Sequence, residues 1–286
     1  MADFEDAIRD AGAVIEARTG RNLVAALAIG CGLGAIFVCS LIFDKQFFIP
    51  FLAVFVGFGS WELATISRTH SRHVPRLPIL IAAVAMTPAT FYFGALGQLV
   101  TLAGGIGVTI VWHAIQRSFS KEQVTDRDML MSAFSLAYVP FLASFAVLMA
   151  ARDGGEWWTL GTMIIIASID TGAYATGLLF GKHPMAPKIS PKKTWEGFAG
   201  SVVFALAAGF IIATAMIHIP WWAGLLFGLV LVGTATSGDL IESLIKRELG
   251  TKDASHLLPG HGGFLDRLDS VLPSMFAASV FAIFFS

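Results

Sequence analysis

Apolar residues along this chain come in long unbroken blocks, not in the alternation of a half-buried strand. Blocks near 20 residues lie at about 23–43, 47–67, 77–94, 96–116, 129–150, 158–180, 197–218, 220–240 and 270–286. Each is long enough for a helix to cross ~30 Å of hydrocarbon. The pattern predicts an all-α, polytopic membrane bundle of about nine transmembrane helices. The separators Gly94 to Gly97 and Ile219 to Trp222 are so short that the spans beside them should form tight helical hairpins.

Composition agrees with the pattern. Hydrophobic residues make up 56% of the 286, 24 of them Phe, and mean hydropathy is +0.73, which fits a bilayer protein. The basic residues set the orientation. With the N-terminus in the cytoplasm, 17 of the 19 Lys and Arg fall inside, and Lys45 and Arg152 fall outside. The positive-inside rule expects such a split for an odd number of spans, with the C-terminus outside. Residues 1–22 then form a cytoplasmic N-terminal segment and 23–286 a single transmembrane domain. Met1 to Gly20 has neither a basic n-region leading into an apolar core nor a small-residue cleavage site, so it is not read as a signal peptide. The net charge of −1 points to no partner, and no nucleic-acid motif is present. Cys31 and Cys39 are roughly 12 Å apart along the first span, too far to bridge within it.

Against this apolar background, three polar constellations fall on the inner side. The first is Ser168-Ile-Asp170-Thr171-Gly172-Ala-Tyr174 in the sixth span. A carboxylate near mid-membrane costs several kcal/mol unless water, a cation or a donor meets it, so a cavity should reach Asp170 unless the hydroxyl of Thr171 or Tyr174 satisfies it. The second is the segment from Lys182 to Gly197, stiffened by three prolines and carrying four lysines. Topology alone explains Lys182 and Lys188. Ser190-Pro191-Lys192-Lys193-Thr194 alternates hydroxyls and ammoniums on a rigid turn before a helix with free N–H donors, a phosphate-binding pattern. The third joins the last two spans. Asp239, Ser243 and Lys246 share one helix face, and after the turn Pro259-Gly260-His261-Gly262-Gly263, Asp266 and Asp269 stand three apart on one face of the last span. The bland reading of that pair is helix capping, which needs only one Asp. The active site draws mainly on 165–286.

Carboxylates without a Cys or His cluster favour a hard cation, Mg²⁺ above all. His261 stands alone, as a structural loop histidine commonly does. No Ser-His-Asp context, Walker-type loop or dinucleotide fingerprint is present. Phosphate, metal and membrane together point to phosphoryl or nucleotidyl transfer onto a lipid.

The run Ser243-x-x-Lys246-Arg247, Lys252-Asp253, Pro259-Gly260-His261-Gly262-Gly263-x-x-Asp266-Arg267-x-Asp269 resembles the long signature of bacterial phosphatidate cytidylyltransferases (CDP-diacylglycerol synthases). Asp170-Thr-Gly-Ala-Tyr174, Ser190 through Gly197 and Ser237-Gly-Asp239-Leu are similar to that family's pattern as well. Before about residue 160 the likeness is one of hydropathy alone. The resemblance implies transfer of a cytidylyl group from CTP to phosphatidate, giving CDP-diacylglycerol and pyrophosphate, at the cytoplasmic face of a bacterial inner membrane. It implies Mg²⁺, paired with K⁺, on Asp239, Asp266 and Asp269, with Asp170 and Asp253 as further candidates. Lys246 joins the three aspartates as catalytic. Ser190, Lys192, Lys193, Thr194, Ser243, Arg247, Lys252, His261, Gly262, Gly263 and Arg267 would bind the substrates. A related CTP-dependent lipid enzyme (an ether-lipid cytidylyltransferase, or a polyprenol or phytol kinase) shares this chemistry. An ion-coupled transporter would instead spread its ionisable groups through the membrane depth. The sequence leaves open lipid-chain preference and whether the protein is a homodimer.

Overall fold

A computed structural model describes residues 23–69, 73–119, 124–251 and 263–285; the N-terminal segment 1–22 lies outside them. The elements are α1 (Leu23–Ile42), α2 (Phe48–Thr69), α3 (Arg76–Phe119), α4 (Asp126–Ala150), α5 (Gly155–Phe180), β1 (Pro184–Ala186), β2 (Ser190–Thr194), α6 (Trp195–Ile217), α7 (Trp221–Glu248) and α8 (Leu265–Phe285). Among the described residues, α2 to α8 are the seven helices long and apolar enough to cross a membrane. This is an all-α polytopic membrane protein, with one small hairpin among the described residues. Hydrocarbon offers no partner to a bare backbone group, so apolar runs of this length fold as helices.

Two irregularities follow from local chemistry. At 44 residues α3 would be roughly 66 Å long if straight, about twice a bilayer core. It is broken at Gly94, whose φ of 62° and ψ of −146° only glycine reaches easily. Its halves lie against each other, since a Cβ on Gly105 would sit 2.8 Å from that of Ala82. The hairpin read from Gly94 to Gly97 is therefore present. In α4, a π-helical turn at Ala137–Phe141 surrounds Pro140, whose missing N–H removes a rung of the ladder.

The core ties the two halves of the chain together: Leu63 of α2, Val139 of α4, Ile165 of α5, Leu231 of α7 and Leu272 of α8 are all fully buried in one cluster. Small residues bring the later helices close, as is usual in membranes. Gly200 of α6 packs on Thr176 and Gly224 of α7 on Gly209, with no room for a Cβ at either contact. A third close crossing puts Gly238 of α7 on the carbonyl of Asp269 in α8. Cys31 and Cys39 are free and exposed.

Three boundaries differ from the sequence reading. The proline-rich turn is an antiparallel hairpin, with Pro184 opposite Thr194 and Ala186 opposite Ser190. Helix α7 continues to Glu248, beyond the inner boundary expected near 240. The last helix starts at Leu265, not at 270, and its first turn is interrupted at Asp269–Ser270 before it resumes over Val271–Phe285.

Candidate active site

The three polar constellations meet. A cavity of about 270 Å³ is walled by α5, the hairpin, α6 and α7, and lined by Asp170, Tyr174, Lys192, Lys193, Thr194 and Asp239. Each wall has a local cause. Glu196, in the first turn of α6, accepts from the backbone N–H groups of Lys182 and His183 at 3.2 Å and contacts His183 Nδ1 at 2.5 Å. That clamp, with Trp195 N donating to His183 O at 3.0 Å, closes the hairpin on the helix. Thr194 is the N-cap of α6, its hydroxyl accepting from Gly197 N at 3.1 Å. Lys193 is thereby held inward, where its ammonium pairs with Asp239 of α7.

The expected cavity does reach Asp170. Thr171 does not satisfy it, because that hydroxyl donates to Ala167 O at 2.7 Å. Asp170 lies within electrostatic range of Asp239, Lys193 and Arg267. Asp269 adjoins Asp239, within hydrogen-bonding reach, because the helices cross at Gly238. Two carboxylates side by side repel unless a proton or cation comes between them.

Asp266 has different partners from Asp239 and Asp269. The two residues of α8 have separate partners. Asp269 accepts from Ser270 N at 2.6 Å, whereas Asp266 accepts from Lys246 Nζ at 2.9 Å and Gly263 N at 3.1 Å. Lys246 also pairs with Glu242 at 2.6 Å, so a half-buried Glu242–Lys246–Asp266 triad, with Glu242 its buried member, joins α7 to α8. Among the described residues no group of three or more His, Cys, Asp or Glu gathers as a metal cluster.

Ser190 opens β2, and Ser243 and Arg247 lie farther along α7; none of the three lines the cavity. Gly263 is a backbone donor to Asp266, and Arg267 stands at the start of α8. Lys252, Asp253, His261 and Gly262 lie outside the described residues.

Sequence reasoning missed Glu62, Glu196 and Glu242. Glu62, in α2, is 2% exposed and accepts from Phe264 N at 3.1 Å and Leu265 N at 2.8 Å. It holds the start of the helix that carries Asp266 and Asp269. A signal was available, since a lone acid within an apolar span is expensive there and calls for a partner. Glu242 is legible too, four residues before Lys246 on one helix.

Comparison with known proteins extends the likeness across the chain. The model of the cytidylyltransferase family matches residues 24–286. The chain is 38% identical to the phosphatidate cytidylyltransferase of Mycobacterium bovis over 270 residues, 91% of this chain and 88% of that protein. It is 38% identical to the Mycobacterium leprae protein of the same name over 273 residues, again 91% and 88%. It is also 38% identical to that of Mycobacterium tuberculosis over 270 residues, 91% of this chain and 82% of that protein. The similarity thus reaches well before residue 160.

Proposed function

This chain belongs to the cytidylyltransferase family, and we propose that the cavity between α5, the hairpin, α6 and α7 is its reaction centre. The reaction is CTP-dependent synthesis of CDP-diacylglycerol from phosphatidate. A phosphatidate phosphate oxygen forms a bond to the α-phosphorus of CTP while the bond from that phosphorus to the β-phosphate bridging oxygen breaks, releasing pyrophosphate. The lipid is the nucleophile, so the protein need supply only positioning and charge.

The observation that carries this reading is the convergence of Asp170, Lys192, Lys193 and Asp239, from three separate stretches of sequence, on one cavity. Lys192 and Lys193 are the groups to hold the triphosphate. Asp239 and Asp269 fit Mg²⁺, which binds through one or two carboxylates plus phosphate oxygens, and Asp170, which lines the same cavity as Asp239, is a further ligand or the place for a paired K⁺. Bound there, Mg²⁺ would neutralise charge on the phosphates and the departing pyrophosphate. Asp266 has the different task of holding Lys246 and Gly263.

We further infer nine spans, with the N-terminus and the active site on the cytoplasmic face of the bacterial inner membrane. The hairpin within α3 and the 17 to 2 division of basic residues support that count. So does the contact of Lys45 Nζ with Arg152 O at 2.6 Å, because these are the two basic residues assigned outside.

Purified protein in detergent with labelled CTP, Mg²⁺ and phosphatidate tests the reaction. CDP-lipid and pyrophosphate are expected. Formation of CDP with a phosphorylated lipid would show γ-phosphate transfer, and no turnover of phosphatidate would reject the assignment.

A further inference from the structure

Arg267 faces a second hollow of different character. A space of about 270 Å³ lies among α1, α2 and α8, closed by Ala146 of α4 and Met163 of α5, with Phe37, Phe51, Phe55 and Met275 in its walls and Arg267 as the one charged residue lining it. The other apolar hollows along α2 and α3 have no Asp, Glu, Lys or Arg among their lining residues. From Arg267 to Met275 the wall follows α8 for about 12 Å at 1.5 Å per residue. Arg267 also lies within electrostatic range of Asp170, which lines the reaction cavity. One cation therefore lines the hydrocarbon-walled hollow with the polar cavity's Asp170 in its electrostatic reach. The α1 wall is open at Gly34, where an added Cβ would meet nothing within 4 Å.

We propose that this hollow seats one acyl chain of the phosphatidate, with the lipid phosphate held by Arg267 at the edge of the reaction cavity. The assignment rests on the reaction proposed for that cavity. An anionic lipid is the ligand whose chemistry uses both features: a soluble phosphate gains nothing from the phenylalanines, and an apolar helix gains nothing from the arginine. The chain already lies in hydrocarbon before it binds. The hollow therefore contributes shape and position, not transfer from water, and filling it should act by displacing the phosphate from its line of attack.

Gly34→Leu fills the hollow, whereas Gly32→Leu adds the same bulk on the same helix, also with nothing within 4 Å, outside the hollow's lining. Initial rates in detergent with CTP and Mg²⁺ are compared for dioleoyl and dihexanoyl phosphatidate. Gly34→Leu should lower kcat/KM for the dioleoyl lipid by at least about tenfold, leaving the dihexanoyl lipid and the KM for CTP within about twofold. Gly32→Leu should change neither. An equal effect of Gly34→Leu on both lipids, no effect on either, or the same effect from Gly32→Leu would overturn the assignment.

A second measurement needs no variant to fold. A phosphatidate with a photoreactive group in mid-chain should label the segment from Phe37 to Phe55, and labelling confined to α3 would reject the seat. Wild-type protein that is labelled there but makes no CDP-lipid would refute the reaction and keep the lipid seat, so the two failures are distinguishable.

Discussion

Glu62 offers a test of how the reaction centre is held in place. Its buried carboxylate accepts from Phe264 N and Leu265 N, amides at the N-terminal end of α8 that have no partner within the helix. Glu62→Gln keeps the shape and one acceptor oxygen but turns an NH₂ toward the other amide. One buried donor left unsatisfied costs about 2 kcal/mol, and Glu62→Ala, which orphans both, about 4 kcal/mol. Asp266 and Asp269 follow within a turn or so, so part of that energy should be relieved by movement of the start of α8. Displacement of a positioning group by an ångström can cost a hundredfold in rate. Glu62→Gln is therefore expected to lower kcat by roughly ten- to a hundredfold and the unfolding midpoint in detergent by roughly 5 °C. The KM for CTP should stay within about threefold, because Lys192 and Lys193 lie on a different element. Ser67→Ala, which removes a buried hydroxyl bonded to Leu63 O on the same helix, serves as the control. Wild-type kcat and midpoint in Glu62→Gln would refute the reasoning. A lower midpoint with kcat intact would make Glu62 a packing residue only.

Asp239→Asn and Asp269→Asn should each lower turnover by about a hundredfold or more and raise the Mg²⁺ concentration needed for half-maximal rate; a Mg²⁺ titration checks this, and an unchanged titration would remove the pair from metal binding. Lys193→Met should cost about thirtyfold in kcat/KM, equivalent to about 2 kcal/mol, whereas Lys188→Met, exposed in the hairpin turn, should cost little; equal small effects would reduce the segment to a topology anchor. Lys246→Met leaves the buried Glu242 without its cation and should destabilise by about 3 kcal/mol, with part recovered in Glu242→Gln/Lys246→Met; thermal unfolding of the single and double variants decides it. A reporter fused after Ser286 should be extracytoplasmic and one inserted near Lys188 cytoplasmic; both on one side would sink the nine-span arrangement.

The amino-acid pattern by itself determined the membrane class, the order of the helices and the residues with chemistry to offer. Apolar blocks of bilayer length have one low-energy solution in hydrocarbon, which is a property of each block alone. The hairpin at Gly94 was legible for the same reason, since a short glycine-bounded separator leaves the chain no other course. Asp170, Lys193 and Asp239 could be picked out because charge is costly in such a chain. Their meeting in one cavity could not be read along the sequence, because it depends on how closely α5, α6 and α7 approach through Gly200, Thr176, Gly209 and Gly224. Spacing alone put Asp266 and Asp269 on one helix face. The packing of α8 on α7, with its close crossing at Gly238, brought one to Lys246 and the other to Asp239. Glu62, about 200 residues from the amides it holds, could be flagged as an expensive acid, but its partner was decided only by packing, because a side chain finds its donor in space and not in sequence.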